Sequence, residues 1–417
     1  MTAPSFVDVA VIGAGAAGLS ALRRLSGQPL TVVGLEARGR IGGRAHTLLR
    51  EDYAIDLGCG WLHSADENVL ARLAEAEGFT IDRTPPPWES QAFNLEMTPA
   101  EQADFRSDFA AFEQRVAEAA AIGREGPASD LFDPDSRWNG RIDAISGALN
   151  GAKFREVSIR DYDAYRDTGV NWRLTDGYGR FVAAQGHGLP VVLNCPVSRI
   201  DRTGALLRLE TAQGLIEART VILTVPTDLI VAGAPRFDPP LPDLVEAAAG
   251  VPLGLASKVH MLVTGAEDFS KDGQLWGSND TGDTGGYHLR PFGRPMIEGY
   301  FGADLARGLE AEGEAAFFAF ATDELVDLLG SNMRRRLTFA SASMWGADPW
   351  SRGAYSHALP GQADARARLR APLENRIFVA GEATSDAFYG TAHGAWVEGA
   401  RAADEALAAL GLGVAVE

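Results

Sequence analysis

Apolar positions along this chain follow two rhythms. Val7–Ile12, Leu30–Leu35 and Val191–Leu193 are short unbroken runs rich in β-branched residues, the pattern of strands buried on both faces. Arg376–Ala380 reads the same way and ends on Gly381-Glu382. Val197–Ile200, Ala205–Glu210 and Ala218–Thr224 are further strand-like stretches. Ser257–Val263 predicts a strand whose faces differ, with Lys258, His260 and Leu262 on one side and Val259, Met261 and Val263 on the other. Helical patterns occupy Leu19–Leu25, part of 64–83, Arg141–Asn150, Gly313–Leu329 and Ala395–Leu410. Thr98-Pro99 looks like a cap and first turn for a helix reaching about Ala121. In the last helix Gly399, Ala402, Ala403 and Ala406 recur at helical spacing, which predicts very close packing on a sheet.

Strand-rich segments at both ends and in the middle, separated by two insertions of different character, predict an α/β protein. A Rossmann-like domain made of 1–83, 184–234 and 343–417 would be interleaved with an α+β domain made of 84–183 and 235–342. The break at Pro85-Pro86-Pro87 marks the first departure. A chain of 417 residues is long enough for two such domains with a substantial core.

Composition narrows the partners. A formal charge of −18 opposes nucleic-acid binding and would favour a cationic substrate, although it serves solubility equally well. No apolar run has membrane-spanning length, and no basic leader precedes the first strand, so the expectation is a cytoplasmic protein without a membrane partner. Two cysteines, Cys59 and Cys195, and seven scattered histidines form no ligand spacing, so no metal is expected. Only Lys153, Lys258 and Lys271 among the 38 basic residues are lysines. That makes a lysine inside an apolar strand, Lys258, conspicuous.

The chemistry begins at Gly13-Ala14-Gly15-Ala16-Ala17-Gly18, set between a strand and a helix. Gly13 allows the tight turn, Gly15 lets backbone approach a pyrophosphate, and Gly18 lets the helix pack closely. The helix N-terminus favours the phosphate charge. Glu36 closes the second strand, where it can accept from a ribose diol. Ala37–Arg44 follows with further glycines and with arginines suited to phosphate. Asp56-Leu57-Gly58-Cys59-Gly60-Trp61 then brings glycine backbone toward a flat ligand.

These segments, together with Trp345–Tyr355 and Tyr389–Ala395, resemble the flavin-dependent amine oxidases, the group of monoamine oxidases, polyamine oxidases and lysine-specific histone demethylases. The resemblance spans almost the whole chain and implies the amine oxidase fold with bound FAD. It implies cofactor contacts from Gly13, Gly15, Gly18, Glu36, Arg38, Arg44, Gly58, Gly60, Trp61, Val197, Trp350, Gly381, Glu382, Thr391 and Ala392. It also implies that Lys258 holds a water near flavin N5, that Trp345 and Trp350 wall the flavin, and that Tyr355 forms one side of the amine site. The last helix would aim its positive end at the flavin pyrimidine. Two departures stand out: Ala354 replaces the cysteine that tethers flavin in monoamine oxidases, so FAD would be non-covalent, and Thr391 replaces their second cage tyrosine. No long helical hairpin of the histone demethylase kind is present.

The activity so implied is oxidation of an amine by hydride transfer to flavin N5, hydrolysis of the imine to a carbonyl compound, and reoxidation by O2 to H2O2. Partners would be a small amine and O2. Three other readings share these motifs. An L-amino acid oxidase would need an arginine for the carboxylate, for which Arg290 and Arg294 are candidates. A dehydrogenase or desaturase would use another electron acceptor, and a flavin-binding protein would not turn over.

Overall fold

The computed structural model describes residues 3–50, 52–88 and 90–413. The β-branched run Phe6–Ile12 forms the centre of an eight-stranded sheet, because Val7, Val9, Ala10, Val11 and Ile12 are all buried and leave no polar face. It pairs in parallel with Val32–Leu35 on one side and with Gly214–Leu223 on the other. Ile12 lies opposite both Leu35 and Leu223, and Leu223 lies opposite Val379 of the parallel strand Ile377–Val379. Four strands therefore end level at one edge, where an open parallel sheet binds its ligand. Val191–Val192 extends the sheet beyond Val32–Leu35. Leu207–Thr211 and Val197–Asp201 continue it antiparallel beyond Gly214–Leu223, and Arg236–Asp238 adds a last parallel strand.

Helices Ala16–Leu25 and Ala392–Ala409 cover one face of this sheet through Val9, Val11, Leu22, Phe378 and Ala403. The small residues of the last helix serve a different close approach from the one expected. A side chain at Gly399 would run into the Ala17 carbonyl, so the tight contact is with helix Ala16–Leu25 rather than with the sheet. Two helices lying side by side on one sheet need that relief where they touch.

The second sheet has five antiparallel strands in the order Gly273–Trp276, Gly286–Leu289, Met296–Gly302, Ala256–Val263 and Leu337–Ala342. Val259, Met261, Ile297 and Phe301 bury one face against Phe317, Ala321 and Leu325 of helix Glu314–Leu329. The alternation expected around Lys258 is present, so the opposite face carries polar groups. Helices Pro99–Ala121 and Asn139–Asn150 stand across from it, joined by a core that includes Phe112, Val116, Ile142 and Phe154. The first of these opens on a capping box, with Thr98 Oγ1 accepting from Glu101 N at 3.2 Å and Glu101 accepting from Thr98 N at 2.9 Å. Among the described residues, no helix is long and apolar enough to cross a membrane.

Candidate active site

A cavity of about 1120 Å³ runs from the level edge of the first sheet to the polar face of the second. Its inner end is built by the glycine loop. Gly13 has φ +102°, and a Cβ there would stand 2.5 Å from Thr224 Oγ1. A Cβ at Gly18 would strike the Gly13 carbonyl, so that glycine seats the helix on its own loop and does not line the cavity. Gly15 has no such neighbour: its nearest atom is 3.7 Å away, and its backbone opens on the cavity. Glu36 is buried and accepts from Ala14 N and Arg38 N, both at 2.8 Å, bracing the turn while facing the same space.

Every other sequence-predicted site residue reaches this wall. Arg38, Arg44, Gly58, Gly60, Trp61, Val197, Trp350, Gly381, Glu382, Thr391 and Ala392 line it together with Lys258, Trp345 and Tyr355. Several are also structural staples. Arg38 donates to Asp348 at 2.7 Å and Ser351 at 2.8 Å, while its buried Nε has no hydrogen-bond partner. Glu382 accepts from Arg44 at 3.1 Å, Ser356 Oγ at 2.7 Å and Gly390 N at 2.8 Å. Burial alone would raise its pKa, but Arg44, Ser356 and Arg366 outweigh that and hold the carboxyl below its usual range. Thr391, at the position of a second tyrosine, is instead the N-cap of the last helix, accepting from Gly394 N at 3.0 Å.

Lys258 sits on the polar face of the second sheet, against the hairpin strand Tyr53–Asp56, and is 6% exposed. Its ammonium donates to the Asp56 carbonyl at 3.2 Å and lies 3.4 Å from Glu298, with the Tyr300 ring centre 5.9 Å away. Its stem therefore does not carry the charge out to water. Asp56 is fixed in turn by capping helix Tyr178–Ala184, accepting from Tyr178 N at 2.9 Å. Glu298 also faces His260 Nε2 at 2.9 Å. Burial resists ionisation of both partners, yet their mutual attraction prevails. Lys258 is held above its ordinary pKa, and Lys258 with His260 holds Glu298 well below the carboxylate range.

Trp345 is anchored by Nε1 donating to the Leu57 carbonyl at 2.9 Å. The Tyr355 hydroxyl donates to the Ala148 carbonyl and meets the Tyr300 hydroxyl at 2.9 Å. A second tyrosine is therefore present, supplied by the second sheet rather than by position 391. Burial pushes both phenols up, so they stay neutral. Glu298 and Tyr300 were missed in the sequence. The alternation Glu298-Gly299-Tyr300-Phe301 was the available signal, but only the register opposite His260 and Lys258 gives it meaning. Arg290 and Arg294 are not in the cavity wall. Arg290 donates to the Phe269 carbonyl at 2.9 Å, and Arg294 to the Ala54 and Thr175 carbonyls at 2.7 and 2.8 Å.

The residues fit FAD: an open glycine loop at a helix N-terminus, an acid at the second strand end, and room beyond for a flat ring system beside Trp345 and Lys258. Fold and site together define a flavin-dependent oxidoreductase. Residues 16–156 and 90–407 match the flavin containing amine oxidoreductase family, so the chain belongs to it and is an FAD-dependent amine oxidase. It is 29% identical over 440 residues to polyamine oxidase 4 of Oryza sativa subsp. japonica, covering 95% of this chain and 88% of that one. Polyamine oxidase 2 of Arabidopsis thaliana is 28% identical, with 95% and 87% covered. In fold the chain is similar to cyclohexylamine oxidase from Brevibacterium oxydans IH-35A, at TM-score 0.80 and 21% identity over 98% of this chain and 100% of that one. Wild-type putrescine oxidase bound to putrescine gives 0.79 and 20%, over 97% and 99%.

Proposed function

We propose that this protein oxidises a small amine to an imine, which water hydrolyses, and that O2 is the electron acceptor and H2O2 a product. The observation that carries this reading is Lys258, a buried ammonium held between the Asp56 carbonyl and Glu298 in the cavity wall. In the division of labour proposed here, 1–83, 184–234 and 343–417 hold FAD, and 84–183 with 235–342 form the substrate side. Gly13, Gly15 and Gly18 shape the pyrophosphate loop, Glu36 takes the ribose, and Arg38, Arg44, Gly58, Gly60, Trp61, Val197, Gly381, Glu382, Thr391 and Ala392 enclose the rest. Trp345 and Trp350 wall the ring. FAD, when bound, supplies the hydride acceptor and the route for electrons to oxygen.

The protein's own groups orient and exclude. Tyr355 and Tyr300, tied by their shared hydrogen bond, line the cavity as neutral aromatic side chains beside which an amine can be seated. Trp345 is locked by its indole hydrogen bond and keeps water from that side. Lys258 places a fixed positive charge where oxygen gains electrons. With Ala354 in place of a cysteine, FAD is held without a covalent bond. Peroxide release with a panel of mono-, di- and polyamines and L-amino acids tests the reading. Peroxide from amines supports it, and turnover only with an artificial electron acceptor would replace it with a dehydrogenase.

A further inference from the structure

One buried charge in the cavity wall has no counterpart among the described residues. Among the described residues three arginines are buried, Arg141, Arg173 and Arg366. Arg173 pairs with Asp82 at 2.8 Å and Asp272 at 2.9 Å, and Arg366 with Asp161 at 2.6 Å. Arg141, 4% exposed, pairs with no described carboxylate. It donates one hydrogen bond to the Asn279 side chain, and its Nε has no partner. Phe105 and Trp276 flank it, with ring centres 4.6 and 5.3 Å from its guanidinium carbon. Burial lowers its pKa only to about 10, so it is charged at neutral pH. A buried cation without an anion is strongly disfavoured unless a ligand supplies one. Arg141 lines the substrate side of the cavity, where a ligand can.

The position of Arg141 sets the shape of that ligand. Arg141, Ile145 and Ala148 lie on one face of helix Asn139–Asn150, and all three line the cavity. Ala148 accepts from Tyr355, so the amine end and Arg141 are seven residues, about 10 Å, apart along the helix axis. The sheet gives an independent measure. Lys258 faces Tyr300, Tyr300 faces Gly286, and Gly286 faces Trp276, which places Trp276 three strands, roughly 14 Å, from Lys258. An α-amino acid, with one carbon between its nitrogen and its carboxylate, cannot span this. A phosphate monoester would bring about two negative charges to this single guanidinium, whereas one carboxylate matches both its charge and its fork. A diamine would set its second ammonium against Arg141.

We propose that Arg141 binds a carboxylate at the far end of the substrate cavity, and that the preferred substrate is an extended ω-amino carboxylate with an apolar stem along Ile145 and Trp276. This rests on the amine oxidase reading and departs from the amines named for the relatives. The test compares ω-amino carboxylates of stepwise length with n-alkylamines and α,ω-diamines of matching length, by peroxide release. At the best length, kcat/KM for the amino carboxylate should exceed that of the alkylamine about ten- to hundredfold, the worth of a charge-assisted hydrogen bond. In Arg141→Gln that ratio should fall to near one, and Arg141→Lys should restore part of it. Equal turnover of diamines, or an unchanged ratio in Arg141→Gln, overturns the proposal while leaving the amine oxidase reading intact. Failure of every amine defeats that parent reading instead. Calorimetric titration of the holoenzyme with octanoate then decides the subsite alone. Binding that Arg141→Gln abolishes supports it, and no binding to the wild type overturns it.

Discussion

Glu298→Gln keeps the shape of the side chain that faces Lys258 and removes its charge. For unit charges 3.4 Å apart, an effective dielectric of about 20 gives an attraction of about 5 kcal/mol. That is roughly a thousandfold or more in the protonation equilibrium of Lys258. In the variant Lys258 keeps the Asp56 carbonyl, the pull of the Asp56 carboxylate and the Tyr300 ring, but burial then acts without its strongest counter-charge and drives its pKa down. Stopped-flow reoxidation of the reduced enzyme by oxygen, followed from about pH 7 to pH 10, reads that change as loss of the ammonium. The wild-type rate should be flat across this window, because its Lys258 titrates above its ordinary 10.5. The variant should match it at the acid end and fall as pH rises. A flat profile in the variant, or one that falls toward low pH, would refute the pairing. Stability gives a second sign to check. The folded pKa of Glu298 lies below its ordinary value of 4.5, so its contribution is complete above about pH 4.5 and is lost as pH falls through the folded value. The variant should lack that acid limb and be less stable at neutral pH by about 3–5 kcal/mol, since a buried cation loses its nearest anionic partner.

Lys258→Met should slow reoxidation by oxygen more than about tenfold while slowing anaerobic reduction by amine only modestly. Reoxidation at the wild-type rate would make Lys258 a structural residue. Heat or acid precipitation of the holoenzyme should leave all flavin in the supernatant, because Ala354 offers no thiol and burial, with Asp56 nearby, pushes the Cys59 thiol up to about 12. Colour retained in the pellet would contradict this. Glu36→Ala should weaken FAD roughly ten- to hundredfold, through the lost ribose acceptor and the freed Ala14 and Arg38 amides, as measured by flavin fluorescence on dilution. Unchanged affinity would remove Glu36 from the cofactor site.

The glycine-loop end of the cavity was legible because its demands are local. The turn at Gly13, the clearance at Gly15 and the contact at Gly18 are fixed within six residues, and Glu36 follows one strand later. Lys258 was legible because the chain otherwise avoids lysine and because a strand alternates. The substrate side was not. Glu298 and Tyr300 acquire roles only through their register against His260 and Lys258, some forty residues away, and no local pattern encodes that pairing. Arg141 is one of many arginines on an ordinary helix until the fold buries it without an acid. The last helix shows the same limit: its small residues announced close packing but not which neighbour would come close.

The central claim is that the cavity joining the two sheets oxidises amines with FAD and hands the electrons to oxygen. Anaerobic mixing of the purified holoenzyme with a series of primary and secondary amines tests it most directly, with flavin absorbance recorded before and after air is admitted. The expected result is complete bleaching by at least one amine, then full recovery of the oxidised spectrum in air with one H2O2 formed per flavin. Bleaching by a reduced nicotinamide and by no amine, or amine-driven bleaching that air does not reverse, would contradict it.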